Sequence, residues 1–409
     1  MTRRDTSSLM RPLALPDSVS SPVVTPLSPS VVYASRSPDE LDEQYDGDLS
    51  GYTYAREGHP NADVLAGLLD RMESAQGGFV TGSGMAAVSA VLMGLMGHGD
   101  HVLGGDQLYG RSLRMLQKDL PRLGVTTSFA DAGSVDAMRA ALRPETKLIM
   151  IEVVSNPTLR VADLHGLVSL ANERGILLAV DNTFTTPRAV QPLLAGADIV
   201  IHSVTKLLAG HSDVTLGYVA AKSPELRQKM LDFAVTAGLT ASPFDCWLAE
   251  RGLLTFDLRF ERAQQNAQAL AETLGDLPGV KQVLYPKRTD HPDYDLAHTV
   301  LGANGGNMVS FELEGGRAAA NTFVQAAKGL AFAPTLGDVG TTLSHPASSS
   351  HRALSEQSRL ALGITEGFFR ISVGLEAIET LQSVFSDAVH TANQTGQRNR
   401  GVAAVINYE

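Results

Sequence analysis

Cysteine is almost missing from this chain: Cys246 stands alone in 409 residues. That excludes an internal disulfide and a cysteine-built metal cluster. Within Pro243-Phe244-Asp245-Cys246-Trp247-Leu248 the thiol reads as a small hydrophobe packed in a helix. Long apolar runs are missing too. No stretch approaches the ~18 uninterrupted apolar residues of a membrane span, and Met1-Thr2-Arg3-Arg4 is not followed by an apolar core of signal-peptide length. A soluble, cytoplasmic protein without membrane contact is expected. Lysine and arginine total 33 against 44 acidic residues, a formal net charge of −11, and they form no concentrated run. Nucleic acid and acidic lipid are therefore poor partners. Internal repeats are absent, and compositional bias is confined to the first 60 residues, where Pro12, Pro16, Pro22, Pro26, Pro29 and Pro38 block long helices.

The rest is an ordinary globular composition, 44% hydrophobic, long enough for two or three cores. Apolar strand-like runs at 147–153, 176–180 and 197–201 alternate with helical segments such as 163–174. This predicts an α/β fold with a mostly parallel sheet and helices on both faces. Ligands of such sheets bind at the carboxyl ends of the strands, where Asn156, Asp181 and Lys206 fall. A helix is expected over 62–75 from the spacing of Val64, Leu65, Leu68, Leu69 and Met72. Residues 245–274 read as one long helix kinked near Gly252. A strand at 308–313 and helices at 318–329 and 376–389 suggest a smaller α+β unit. The polar stretch 391–400 reads as loosely ordered.

Three motifs sit where ligands should bind. Ser203-Val204-Thr205-Lys206 follows an apolar strand, so two hydroxyls and an amine could hold a phosphate and an aldehyde of one ligand, pyridoxal phosphate. The plain alternative for Lys206 is a surface charge. Asp181-Asn182-Thr183 follows another apolar strand; a buried carboxylate there needs a cationic partner such as a protonated pyridine nitrogen, although capping a turn is an alternative. Thr81-Gly82-Ser83-Gly84-Met85-Ala86-Ala87 opens a small-residue helix, whose free amides suit an anion or form only a tight turn. His202 and His211 flank the lysine motif, but no cysteine or carboxylate pattern completes a metal set, and packed histidines are expected.

Together with Tyr109 and Arg370, these motifs resemble the cystathionine gamma-synthase and gamma-lyase family of pyridoxal phosphate enzymes. The resemblance rests on Tyr54-Ala55-Arg56, Ser83-Gly84-Met85-Ala86-Ala87, Leu108-Tyr109-Gly110, Ser155-Asn156-Pro157-Thr158-Leu159, Val180-Asp181-Asn182-Thr183-Phe184, Gly210-His211-Ser212-Asp213, Ser242-Pro243-Phe244-Asp245-Cys246, His345-Pro346-Ala347-Ser348 and Arg370-Ile371-Ser372-Val373-Gly374, in family order from about residue 25 to 385. It implies the aspartate aminotransferase-like fold. Residues 1–60 form an arm reaching the partner subunit, 61–255 the cofactor domain and 256–409 the C-terminal domain.

It also implies site roles. Lys206 binds the cofactor aldehyde and shuttles protons. Tyr109 stacks on the ring and exchanges a proton. Asp181, with Thr183, faces the ring nitrogen. Gly84, Met85, Ser203 and Thr205 hold the phosphate, joined by Tyr54 and Arg56 from the partner chain. Arg370, Asn156 and Thr335 bind the amino-acid substrate. A homotetramer built from two active dimers is implied, with γ-elimination or γ-replacement in trans-sulfuration as its reaction. A β-lyase, a methionine γ-lyase or a lyase of a sulfur-free γ-substituted amino acid is the alternative, and a non-catalytic cofactor-binding protein the rival from another class.

Three positions depart from the family pattern. His59 precedes Pro60 where asparagine is usual. Arg111 follows Tyr109-Gly110 where glycine or cysteine is common, which weighs against methionine γ-lyase. Pro334 stands where many cystathionine enzymes carry glutamate, although plant-type gamma-synthases also have proline there.

Overall fold

The computed structural model describes residues 18–406, with side chains described through residue 394. The first part of the expected arm, including Pro12 and Pro16, lies outside the described residues. A seven-stranded sheet is built from β1 (Phe79–Thr81), β2 (His101–Gly105), β3 (Thr126–Ala130), β4 (Thr146–Glu152), β5 (Leu177–Asp181), β6 (Ile199–Ser203) and β7 (Gly217–Ala221). Its order is β1-β7-β6-β5-β4-β2-β3. Strands β2 to β6 run parallel, and β7 runs against both of its neighbours, β6 and β1.

The central strands are buried on both faces, which is why they read as continuous apolar runs. Alternation sorts their side chains into two cores. Ile149, Ile151, Leu178 and Val180 face one. Leu148, Met150, Ala179, Ile199 and Ile201 face the other, packed with Ala87, Val88, Val91 and Leu92 of the helix Gly84–Leu95. The same alternation puts Glu152, Asp181 and Ser203, the last residues of β4, β5 and β6, on the second of these faces at the carboxyl end of the parallel strands.

A second sheet contains β8 (Val280–Leu284), β9 (Met308–Leu313), β10 (Ala331–Phe332), β11 (Thr342–Ser344) and β12 (Phe368–Ser372), in the order β10-β11-β12-β9-β8. Phe311, Phe323, Phe369 and Phe385 pack at its centre, with Phe311 and Phe369 stacked 5.5 Å apart. Leu284, Met308 and Phe368 join the core of the first sheet, so the two sheets share apolar packing.

Two details differ from the sequence expectation. Residues 245–274 are not one kinked helix: Pro243–Leu253 and Phe256–Gly275 are separate, broken at Leu254-Thr255. Gly252 serves a close approach instead, since a Cβ there would lie 2.3 Å from the Ala209 carbonyl oxygen. The stretch 391–400 is helical, part of Ile378–Ile406. Leu381, Phe385, Ala388, Val389 and Ala392 bury its first half, and an anchored helix propagates at little further cost. Cys246 is buried, its thiol pushed up to about 12 by burial. Among the described residues no helix is long and apolar enough to cross a membrane, and no cluster of His, Cys, Asp and Glu is arranged to hold a metal.

Candidate active site

The ends of β5 and β6 are joined by one side chain. Thr183 Oγ1 donates to Asp181 Oδ1 at 2.5 Å, the Thr183 N–H donates to the same oxygen at 3.1 Å, and Thr183 Oγ1 accepts the Ser203 N–H at 2.9 Å. Asp181 is thus fixed in place. Burial still raises its pKa, against the opposing bonds from Thr183 and the charge of His202. Among the described residues no lysine or arginine pairs with it, so its buried charge has only Thr183 and His202 to favour it. Lys206 follows in the loop after β6, and burial, assisted by the Arg370 charge, draws its amine below the ordinary lysine range.

Behind this loop sits a residue that sequence reasoning missed. Arg259 is buried, and its guanidinium donates to the carbonyls of Leu207, Leu208 and Gly252 at 2.8, 2.9 and 2.8 Å. Gly210 has φ +79, and a Cβ there would fall 1.9 Å from Arg259 Nη1. The Lys206 loop is therefore clamped between a buried cation and a glycine that must stay small. The only prior signal was an arginine on the buried, mostly apolar face of the helix Phe256–Gly275, which Asn266 also interrupts.

The glycine-rich turn meets β6 directly. Ser83 Oγ accepts the Ala86 N–H at 3.0 Å and caps the helix, while the Gly84 and Met85 amides occupy its first turn, where N–H groups lack intrahelical partners. A Cβ on Gly84 would lie 2.6 Å from Ser203 Cβ, so only glycine brings this turn against Ser203. Thr205 is differently engaged. Its hydroxyl donates to the Leu216 carbonyl at 3.1 Å and accepts the Leu216 N–H at 2.9 Å, leaving the Ser203 hydroxyl as the freer of the two.

Arg370 comes from the second sheet, on β12, and is buried. It donates from Nη1 to Asn156 Oδ1 at 2.8 Å and from Nη2 to the Thr335 carbonyl at 2.7 Å, while Nε has no partner. Burial lowers its pKa to about 10. Among the described residues this buried guanidinium has an orphaned N–H and no counter-ion, an arrangement that suits a carboxylate. Gly337, two residues beyond Thr335, presses on the lysine loop, where a Cβ would lie 2.4 Å from the Leu207 nitrogen. His351 lies within electrostatic reach of Arg370 and is lowered to about 4, by burial first.

Tyr109 is exposed, and its N–H donates to Glu152 Oε1 at 2.6 Å. Glu152 is a second residue missed in the sequence, where it reads merely as the end of an apolar strand. Tyr54 and Arg56 stand apart. The Arg56 guanidinium lies 5.2 Å from the Tyr54 ring centre and 3.6 Å from Glu57, and among the described residues neither side chain bonds to the group around Lys206. His202 is buried against Glu73, which also accepts from Asn182 at 2.9 Å, and His211 bonds the Ala209 carbonyl at 2.7 Å. His59 is buried as the cap of the helix Pro60–Glu73; Arg111 and Pro334 are exposed.

These donors fit pyridoxal phosphate. Amides at a helix N-terminus with the adjoining Ser203 hydroxyl match a phosphate, Lys206 matches an aldehyde, and Asp181 matches a ring cation. Residues 7–390 match the family described as Cys/Met metabolism PLP-dependent enzyme. Cystathionine gamma-lyase of Bacillus subtilis is 42% identical over 82% of this chain and 88% of its own length. Cystathionine beta-lyase of the same organism is 40% identical over 84% and 87%. The crystal structure of cystathionine gamma synthase from Xanthomonas oryzae, in complex with aminoacrylate and cysteine, superposes with a TM-score of 0.86 at 37% identity, covering 91% of this chain and 94% of that one.

Proposed function

The chain belongs to the Cys/Met metabolism family of pyridoxal phosphate-dependent enzymes, and from that premise we propose that it eliminates or replaces the γ-substituent of an amino acid such as cystathionine or an activated homoserine ester. Its cofactor is pyridoxal 5′-phosphate, and it works in sulfur amino-acid metabolism. When bound, the cofactor supplies an aldehyde for Lys206 and a cationic ring that withdraws electron density from the substrate Cα. Asp181, held by Thr183, keeps that ring cationic. Gly84, Met85 and Ser203 take the phosphate, with Thr205 joining once its hydroxyl turns from Leu216. Arg370 clamps the substrate carboxylate beside Asn156 and Thr335. Lys206, whose amine burial draws below the ordinary lysine range, accepts the Cα proton and passes it on, and a further transfer at Cβ frees the γ-substituent. Tyr109 covers the ring and exchanges a proton with the leaving group.

The observation that carries this reading is that Lys206, in the loop after β6, lies within reach of the Arg370 charge, while Asp181 ends the neighbouring strand β5. Tyr54 and Arg56 are assigned to the site of a second subunit, which accounts for their separation from Lys206 in this chain. The arm, cofactor-domain and C-terminal divisions at 60 and 255, and a tetramer of two such dimers, belong to the same proposal. Purified enzyme given cystathionine is expected to yield 2-oxobutyrate; pyruvate instead would assign β-cleavage, as in the beta-lyase relative.

A further inference from the structure

Glu152 ends β4 directly across the ladder from Asp181, its register partner on β5. Its Oε1 accepts the Tyr109 N–H at 2.6 Å, and the Asn156 N–H also bonds this carboxyl group. One side chain therefore touches the backbone of the ring-covering tyrosine and of the asparagine bonded to Arg370, and lies beside the carboxylate assigned to the ring nitrogen.

Charges around Glu152 are mostly of its own sign. Asp181 faces it from β5, and Asp106, Asp131 and Arg160 line one small pocket with it. Arg160 is already held by Asp293, from Nε at 2.6 Å and Nη2 at 2.9 Å. Burial, then the Asp181 charge, pushes Glu152 well above the ordinary glutamate range, against the Tyr109 and Asn156 N–H bonds, which favour its charged form. Two carboxylates this close do not both ionise cheaply in a buried setting. Thr183 gives Asp181 a short hydroxyl bond, which favours charge there.

We propose that Glu152, as a neutral acid, is the positioning residue that holds Tyr109 and Asn156 in register with Asp181, and that its neutrality reserves the negative charge of the pair for the cofactor ring. This rests on the roles given above to Tyr109, Asn156 and Asp181. Two properties are required of residue 152: an acceptor oxygen at the end of a long side chain, and no charge. Glutamine has both, alanine has neither the oxygen nor the length, and aspartate is one methylene short.

The test begins with wild-type protein, whose visible absorbance on addition of pyridoxal phosphate reports the site reading by itself; no uptake would remove both readings together. Cofactor affinity, the pH at which the bound chromophore titrates and the protons exchanged on binding are then measured for E152Q, E152D and E152A. Proton exchange is read by calorimetry in buffers of different ionisation enthalpy. E152Q is expected to keep affinity within about threefold, with proton exchange and titration close to wild type. E152A is expected to bind about tenfold or more weakly, since the Tyr109 and Asn156 N–H groups lose their acceptor, and its titration should move. E152D should fall between them. If E152Q is as impaired as E152A, or binding to it exchanges a different number of protons from wild type, an ionised Glu152 is needed and the proposal fails. It also fails if E152A binds and titrates like wild type. Should E152A not fold, the E152Q and E152D comparison decides by the same criteria.

Discussion

The strand ends around Asp181 and the arm around Tyr54 differ in where their order comes from. Asp181, Thr183 and Ser203 are fixed by bonds among themselves, on strands whose apolar residues are buried on both faces. The arm has backbone order without burial. Residues 31–33 pair with 53–55 through the Tyr33 N–H to Thr53 and the Ala55 N–H to Val31, yet Val31, Val32 and Tyr54 remain exposed. Farther back the arm is tied to its own chain, by Trp247 Nε1 to the Thr25 carbonyl at 2.9 Å and Asn61 Nδ2 to the Pro26 carbonyl at 3.0 Å. The interior half of the site is held by bonds within one chain. The arm half leaves Tyr54 and Arg56 exposed.

The interior half can be broken hardest. Lys206→Ala is expected to lower turnover by about 10³-fold or more and to abolish the covalent chromophore, while circular dichroism stays native, because the amine is at once the attachment point and the proton carrier. Arg259→Ala tests what holds that amine in place. Loss of the guanidinium leaves the carbonyls of Leu207, Leu208 and Gly252 without this donor in a buried setting. A destabilisation of about 3 kcal/mol is expected, read from the urea midpoint, together with weaker retention of cofactor. A normal midpoint would mean that the lysine loop is held by the rest of its packing.

Legibility in the sequence followed the same division. Strands β4, β5 and β6 were visible because burial on both faces leaves an uninterrupted apolar run, and Asp181 and Lys206 were visible because polar groups interrupt such runs only at strand ends. The strands β2 and β3 were not flagged. β2 ends in two glycines and β3 begins Thr126-Thr127-Ser128, patterns that lack the apolar signal although both strands lie in the sheet. Glu152 and Arg259 were missed for another reason. The partners that tie them to the site include backbone groups distant in the chain, Tyr109 and Leu207-Leu208, and no local spacing announces a side chain that satisfies remote amides or carbonyls. The helix breaks at Leu254-Thr255 rather than at Gly252, because the smallness of Gly252 serves contact with Ala209 and not a hinge.

The arm half is tested by Arg56→Ala. If this side chain serves the phosphate of a second subunit, cofactor affinity is expected to fall about tenfold with little change in melting temperature, since Arg56 is exposed in its own chain. Mixing is sharper. Refolding Arg56→Ala with Lys206→Ala subunits in equal amounts should restore activity at about a quarter of the sites, because a site drawing on two chains can receive both intact residues. Recovery no greater than the sum of the separate variants would place both residues in one chain's site and end the contrast between the halves.

The smallest effect lies where the two halves join. His59 Nδ1 accepts the Ala62 N–H at 3.1 Å, and Nε2 lies 3.1 Å from the Ala241 carbonyl, so the neutral ring with its hydrogen on Nε2 satisfies both neighbours. Ala241 follows Thr240, against which Gly82 packs, so the imidazole ties the end of the Tyr54-Ala55-Arg56 segment to the glycine-rich turn. Burial lowers its pKa, opposed by the Ala241 bond and the Asp63 charge. The unfolded chain therefore binds this proton more readily than the folded one. The contribution of His59 is complete above about pH 6.5 and is lost as pH falls toward the lower folded value, because a protonated Nδ1 can no longer accept. His59→Asn keeps a capping acceptor for Ala62 and gives up the reach to Ala241. It is expected to cost about 1 kcal/mol at neutral pH and to flatten the fall in stability below pH 6.5, measured as the difference between variant and wild-type urea midpoints across pH. The difference matters because other buried histidines, His101 and His345 among them, titrate in the same direction and cancel in it. A variant whose acid sensitivity equals that of wild type would separate the arm from the glycine-rich turn energetically, leaving the interior half indifferent to how the arm is anchored.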